Sequence, residues 1–104
     1  MKAILKNNKV VIMDNAKLWK EWMLRAQKTK ERLIKQDVIK NVLVSTVFLG
    51  QNRNFSSGKP HWFESMIFID EKEWERQKYT TYEEAIKGHE KMVQYIQDRD
   101  SLEL

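Results

Sequence analysis

Two segments, Val42-Leu43-Val44-Ser45-Thr46-Val47-Phe48-Leu49 and His61-Trp62-Phe63-Glu64-Ser65-Met66-Ile67-Phe68-Ile69, decide how this chain folds. The first is a β-branched and aromatic run, too short for a helix and closed by Gly50, so it reads as a strand. In the second, strand alternation puts Phe63, Ile67 and Ile69 on one face and Trp62, Glu64, Met66 and Phe68 on the other. Large apolar groups on both faces predict central strands, one face under helices and the other partly covered, as by a second subunit. The join, residues 50–60, is far longer than a tight hairpin requires. Long loops carried by rigid strands are where binding groups collect.

Outward from this pair, residues 1–14 read as a β-hairpin turned by Asn7-Asn8, which tolerate the left-handed conformation of such turns. Asp14 is placed to cap a helix over residues 15–29, with Leu18, Trp19, Trp22, Met23 and Ala26 as its apolar stripe. Alternation then returns over residues 32–39, predicting a strand that turns through Lys40-Asn41 into the first central strand; extension of the helix through Lys35 is the competing reading. Glu71-Lys72-Glu73-Trp74-Glu75-Arg76 reads as a charged connection, and Gln77-Lys78-Tyr79 as a short strand. Thr81 with Glu84 makes a capping box for a C-terminal helix over 81–97, striped by Tyr82, Ala85, Ile86, Met92, Val93 and Ile96; the residues from Asp98 onward are expected to fray. The sum is one α+β domain: a small mixed or antiparallel sheet of about five to six strands packed on two helices, one after the N-terminal hairpin and one at the C-terminus.

Composition narrows the functional classes. The 104 residues include no cysteine, which excludes disulfides, thiolate chemistry and zinc–thiolate sites and suits a reducing cytoplasm. No apolar run reaches about 18 residues and no signal-peptide pattern is present, so a soluble protein without a membrane role is expected. Residues 1–40 hold 11 Lys/Arg against 4 Asp/Glu, a balance of +7, whereas residues 41–104 hold 8 against 11, a balance of −3. A basic N-terminal half can meet nucleic acid, an acidic partner or a phosphorylated ligand, or simply be a solvated face. Opposite-sign halves also suit packing between subunits.

The loop supplies Asn52, Arg53, Asn54, Ser56, Ser57, Gly58 and Lys59, ingredients of a phosphate-binding nest, and Phe55 adds an aromatic. No Walker motif, dinucleotide fingerprint or nucleophile elbow accompanies them. Glu64 lies mid-strand among apolar neighbours, where a carboxylate needs a partner; Thr46, Arg53, His61 and Arg76 are candidates. His89 falls on or beside the apolar stripe of the last helix, as a hydrogen-bonded histidine of a helix–sheet contact or as a catalytic group. His61 and His89 are the two histidines, and no carboxylate set at metal-ligand spacing joins them, so no metal or cofactor is expected. Trp19 and Trp22 read as core or interface anchors, and Trp62 and Phe68 as further interface candidates.

Val44-Ser45-Thr46-Val47-Phe48-Leu49-Gly50, Asn52-Arg53-Asn54-Phe55, Gly58-Lys59-Pro60, Phe63-Glu64-Ser65-Met66-Ile67-Phe68, Tyr79-Thr80-Thr81, Glu84-Ala85 and Gly88-His89 together resemble a family of small proteins of tailed phages and prophages. The resemblance spans roughly residues 42–93. It implies a viral origin and action in the cytoplasm of a host bacterium, and it carries no settled activity. Arg53 stands where the family has histidine, and Lys78 where arginine precedes the tyrosine, so chemistry requiring a loop imidazole is not implied.

Three classes follow. The leading one is a non-enzymatic phage-encoded binding protein, counter-defence or host-modulating, that binds a host protein or sequesters a nucleotide-derived ligand through Thr46, Asn52, Arg53, Asn54, Phe55, Lys59, His61, Glu64, Tyr79 and His89, as a homo-oligomer. The second is a small enzyme on a phosphorylated or nucleotide substrate, with Glu64 or His89 as acid–base groups and Arg53 and Lys59 as phosphate clamps. The third is a nucleic-acid-binding protein driven by the basic N-terminal half.

Overall fold

The computed structural model describes residues 1–52 and 58–102. In chain order they form β1 (Ala3–Lys6), β2 (Lys9–Ile12), α1 (Ala16–Thr29), β3 (Leu33–Ile39), β4 (Val42–Phe48), β5 (Phe63–Ile69), β6 (Lys72–Tyr79) and α2 (Tyr82–Leu102). β1 and β2 pair as a two-stranded antiparallel sheet, and β3-β4-β5-β6 form a four-stranded antiparallel meander. The fold is α+β, with one helix after the N-terminal hairpin and one at the C-terminus.

Strand parity decides which face the helices cover. Val44, Thr46 and Phe48 of β4, with Phe63, Ser65 and Ile67 of β5, are buried and share one face. At one end of that face Trp22 and Ala26 of α1 and Ala85 of α2 close over Phe48 and Phe63; at the other, Ile96, Met92 and Val93 of α2 close over Val44 and Ile67. The Trp22 and Phe48 rings meet edge to face, 5.8 Å apart at 89°. The hairpin is tied to the chain beyond β4 by the Trp19 indole N–H, which donates to Ala3 O at 3.0 Å and to Gly50 O at 2.9 Å. Gly50 itself sits at φ 78, and a side chain there would run into the Met23 thioether.

Local signals explain most boundaries, and four expectations need correction. Asn15, rather than Asp14, caps α1, its Oδ1 accepting from Leu18 N at 3.1 Å. Leu18 stands outside the buried stripe and is 51% exposed. The helix does not run on to Lys35: Lys30 turns left-handed at φ 64, its N–H returning to Ala26 O, and β3 begins at Leu33. The capping box at Thr81 is present, with Thr81 N donating to Glu84 Oε1 at 3.2 Å and Glu84 N to Thr81 Oγ1 at 3.1 Å.

The third and fourth corrections share a cause. Residues 71–76 are not a connection, because β6 is a full edge strand from Lys72 to Tyr79. An edge strand pairs on one side only, and dense charge there blocks further pairing, so its sequence lacks the apolar alternation of a central strand. Glu73 faces Phe68 and Glu75 faces Ile67, leaving Trp74 as the extra residue of a bulge. Its ring stacks on Tyr95 of α2, 6.1 Å apart at 13°, with the Arg99 guanidinium 5.3 Å from the Trp74 ring. Lys40 also pairs with Asp100 at 2.7 Å. These contacts carry α2 through Leu102, beyond the expected end at residue 97.

The β5–β6 turn places both Asp70 and Glu71 at positive φ, 50 and 68. Asp-Gly is the favoured pair for a two-residue turn of this hand, and a β-carbon at the second position is disfavoured. Glu71→Gly is therefore expected to stabilise the fold by about 0.5–1 kcal/mol despite the added chain entropy. Urea unfolding checks this; a lowered midpoint would show that the turn does not hold Glu71 left-handed.

Candidate functional site

Each strand of the meander and the helix above it contributes one polar group to a single chain of hydrogen bonds that is buried at its centre and reaches the surface at Asp37. Thr46 of β4 and Ser65 of β5 are direct partners in the ladder, and their hydroxyls bond to one another. Thr46 Oγ1 also lies 2.6 Å from His89 Nδ1. On the far side of the ring His89 Nε2 is 2.7 Å from Asp37 Oδ2 of β3. Tyr79, at the end of β6, bonds to Ser65. Thr46, Ser65 and His89 are all 0% exposed.

Asp37 fixes one end of this chain. With its carboxylate as acceptor, His89 Nε2 carries a proton and donates to it, while Nδ1 meets the Thr46 hydroxyl. Thr46 and Ser65 share one hydrogen bond, and the Ser65 hydroxyl also meets the Tyr79 phenol. Among the described residues no buried side-chain nitrogen or oxygen lacks a partner. Linked hydrogen bonds polarise each other, so the chain gains strength as a unit.

The order Asp37, His89, Thr46 mimics a nucleophile–base–acid triad, but its geometry serves structure. The Thr46 oxygen is sealed from solvent and already bonded to Ser65, so it has no room for a reacting carbon. Glu64 cannot join it. Alternation along β5 turns Glu64 to the opposite face of the sheet, where Arg76 Nη1 approaches its Oε2 at 3.6 Å. Arg76 is held above the ordinary guanidinium range first by its 2.6 Å hydrogen bond to Glu73 and then by the charge of Glu64. The two acid–base candidates, Glu64 and His89, thus stand on opposite sides of one sheet and do not converge.

The remaining expected site residues scatter. Asn52 is joined through its backbone to Met1, Lys59 is exposed and His61 half-buried; Arg53, Asn54 and Phe55 lie outside the described residues. Of the interface candidates, Trp22 and Trp62 are buried in the chain's own core, Trp19 is tied to Ala3 and Gly50, and Phe68 alone lies on the uncovered face. Sequence reasoning missed Asp37, Ser65 and Gly88. Ser65 carried a usable signal: a small hydroxyl on the helix-facing parity of an apolar strand, as Thr46 is on its neighbour. Among the described residues no three His, Asp or Glu side chains group as a metal site.

Opposite the helices, no described element covers the meander. Two cross-strand rows run over this face: Val38, Leu43, Phe68 and Glu73, then Gln36, Ser45, Met66 and Arg76. Val38 is 68% exposed, and Leu43, Met66 and Phe68 are half-buried. At the hairpin end a shallow depression of about 480 Å³ is walled by Val38, Leu43 and Phe68 and rimmed by the turn residues Lys40, Asp70 and Glu71. An apolar floor inside a charged rim is the anatomy of a protein contact. Comparison with protein families, curated proteins and solved structures finds no match to this chain.

Two outcomes follow from the buried chain. Gly88 lies directly beneath the Tyr79 ring, where a β-carbon would overlap the phenol. Gly88→Ala should lower the melting temperature even though alanine gains about 1 kcal/mol in helix propensity; in a Tyr79→Ala background the same change should become neutral or stabilising. Burial pushes the Tyr79 phenol above its ordinary value, with the Ser65 hydrogen bond opposing. The native state therefore holds this proton more tightly than the unfolded chain, so its contribution is intact below pH about 10 and falls as pH rises beyond. Stability measured from pH 9 to 11 should drop more steeply in the wild type than in Tyr79→Phe; equal slopes would assign the loss to other groups.

Proposed function

We propose that this chain is a non-enzymatic binding protein, phage-encoded and host-modulating, that docks a host protein on the uncovered face of β3–β6. The observation carrying this reading is the apolar row Val38, Leu43 and Phe68 and its depression, in a molecule whose reactive-looking Thr46 and His89 are sealed in the interior. The viral and host assignments rest on the sequence resemblance. A half-buried phenylalanine beside an open depression is the kind of anchor that dominates a contact, because a partner side chain completes its desolvation. Helix-side chemistry offers no rival: the about 200 Å³ cavity between β3, β4 and the end of α2 is lined by Arg99 and Lys40, already engaged with Trp74 and Asp100.

Phe68→Asp tests the reading with little effect on the core, since the side chain leaves the helix-facing side untouched. Immobilised wild type should retain a host protein whose chemical cross-links fall on β3–β6, and Phe68→Asp should bind it about 10- to 100-fold more weakly, the loss of one buried aromatic anchor. Equal retention by the variant, or no retained protein, would overturn it. So would light scattering that shows a wild-type dimer and a Phe68→Asp monomer, since a second copy would then own the face.

A further inference from the structure

The cations of this protein are used unevenly. Four cations of the sheet and α2 are engaged, Lys35 with Glu90, Lys40 with Asp100, Arg76 with Glu64 and Glu73, and Arg99 over Trp74 and Tyr95, whereas Lys72, Lys78, Lys87 and Lys91 are in no ion pair among the described residues. Arg32 donates to Phe48 O and Leu49 O. Residues 1–31 differ, with eight Lys/Arg against three Asp/Glu. Among the described residues, no ion pair holds Lys17, Lys20, Arg25 or Lys28 of α1.

Helix geometry gathers these charges. At about 100° per residue, Lys17, Lys20, Leu24 and Lys28 fall within an arc of about 80°, directly opposite the buried Trp22 and Ala26, with Arg25 on its flank and the carboxylate of Glu21 between the arc and Arg25. Lys17 and Lys28 lie about 16 Å apart along the axis. That exceeds the roughly 12 Å width of the B-DNA major groove, so a helix lying across it brings a lysine to the phosphates on each side. Leu24 is the one apolar residue on the stripe, too little for anchoring in a lipid surface, which needs a broad apolar face.

We infer that the outer face of α1 binds the phosphate backbone of duplex DNA without reading its sequence, as a second surface on the side of the molecule away from the protein-docking face. Lys17, Lys20, Arg25 and Lys28 make the phosphate contacts. Binding comes from release of condensed counterions, so about four contacts give a slope of log affinity on log salt of about −3 to −4.

Anisotropy of a labelled 20-base-pair duplex of mixed sequence tests this. Affinity should fall on the order of 100-fold between 50 and 200 mM KCl. In Lys20→Ala/Lys28→Ala the slope should shrink by about 2, with circular dichroism unchanged because both side chains are exposed. Phe68→Asp should bind DNA as the wild type does, which separates this surface from the sheet face. Absence of binding at 50 mM, an unaltered slope in the double variant, or preference for polyglutamate or phosphatidylserine vesicles over the duplex would overturn the inference.

Discussion

Two hydroxyls facing each other between apolar strands have few ways to be satisfied, and the architecture follows from the way found here. Thr46 and Ser65 bond to each other, and the residual donor and acceptor capacity must then run out of the sheet, to His89 on one side and Tyr79 on the other. That requirement ties β3, β4, β5, β6 and α2 to one register. A slip of one residue in either central strand would turn a hydroxyl to the open face and take a bond from its partner in the interior. Gly88 belongs to the same constraint, since the tyrosine that ends the chain of bonds lies across the helix at the one position without a β-carbon.

The parity that buries the hydroxyls also divides the molecule's surface. Residues of β4 and β5 an odd number of positions from Thr46 or Ser65 face away from the helices, which sends Leu43, Met66, Phe68 and Glu64 to the side no described element covers. With the polar interior closed on itself, the proposed contacts are assigned to that apolar face and to the cationic ridge of α1. The two lie on opposite sides of the molecule and would differ in physics: one would gain from desolvation, the other from counterion release.

Much of the scaffold was legible because its signals are local. Hairpin asparagines, the Thr81 and Glu84 box, the β-branched run of β4 and the alternation of β3 each depend on a few adjacent residues. The elements misread were those defined by partners. β6 looks like a charged linker until Phe68 and Ile67 are set beside it, and α2 continues past residue 97 because Trp74 reaches Tyr95 and Arg99 from a strand bulge. The candidate site failed for the same reason. Thr46, Glu64 and His89 were each singled out, but whether they meet depends on which face of the sheet each side chain takes.

The sequence by itself therefore determined the α+β class, the order of the helices, the strand pair at the centre and the basic character of the N-terminal third, all consequences of periodicity and composition. Tertiary structure alone decided that Asp37, Thr46, Ser65, Tyr79 and His89 form one chain with a sealed centre, that Glu64 stands apart from it, and that no described element covers one face of the meander. Local pattern fixes which residues alternate, but contacts 19 to 52 positions apart in sequence select the face that the helices bury.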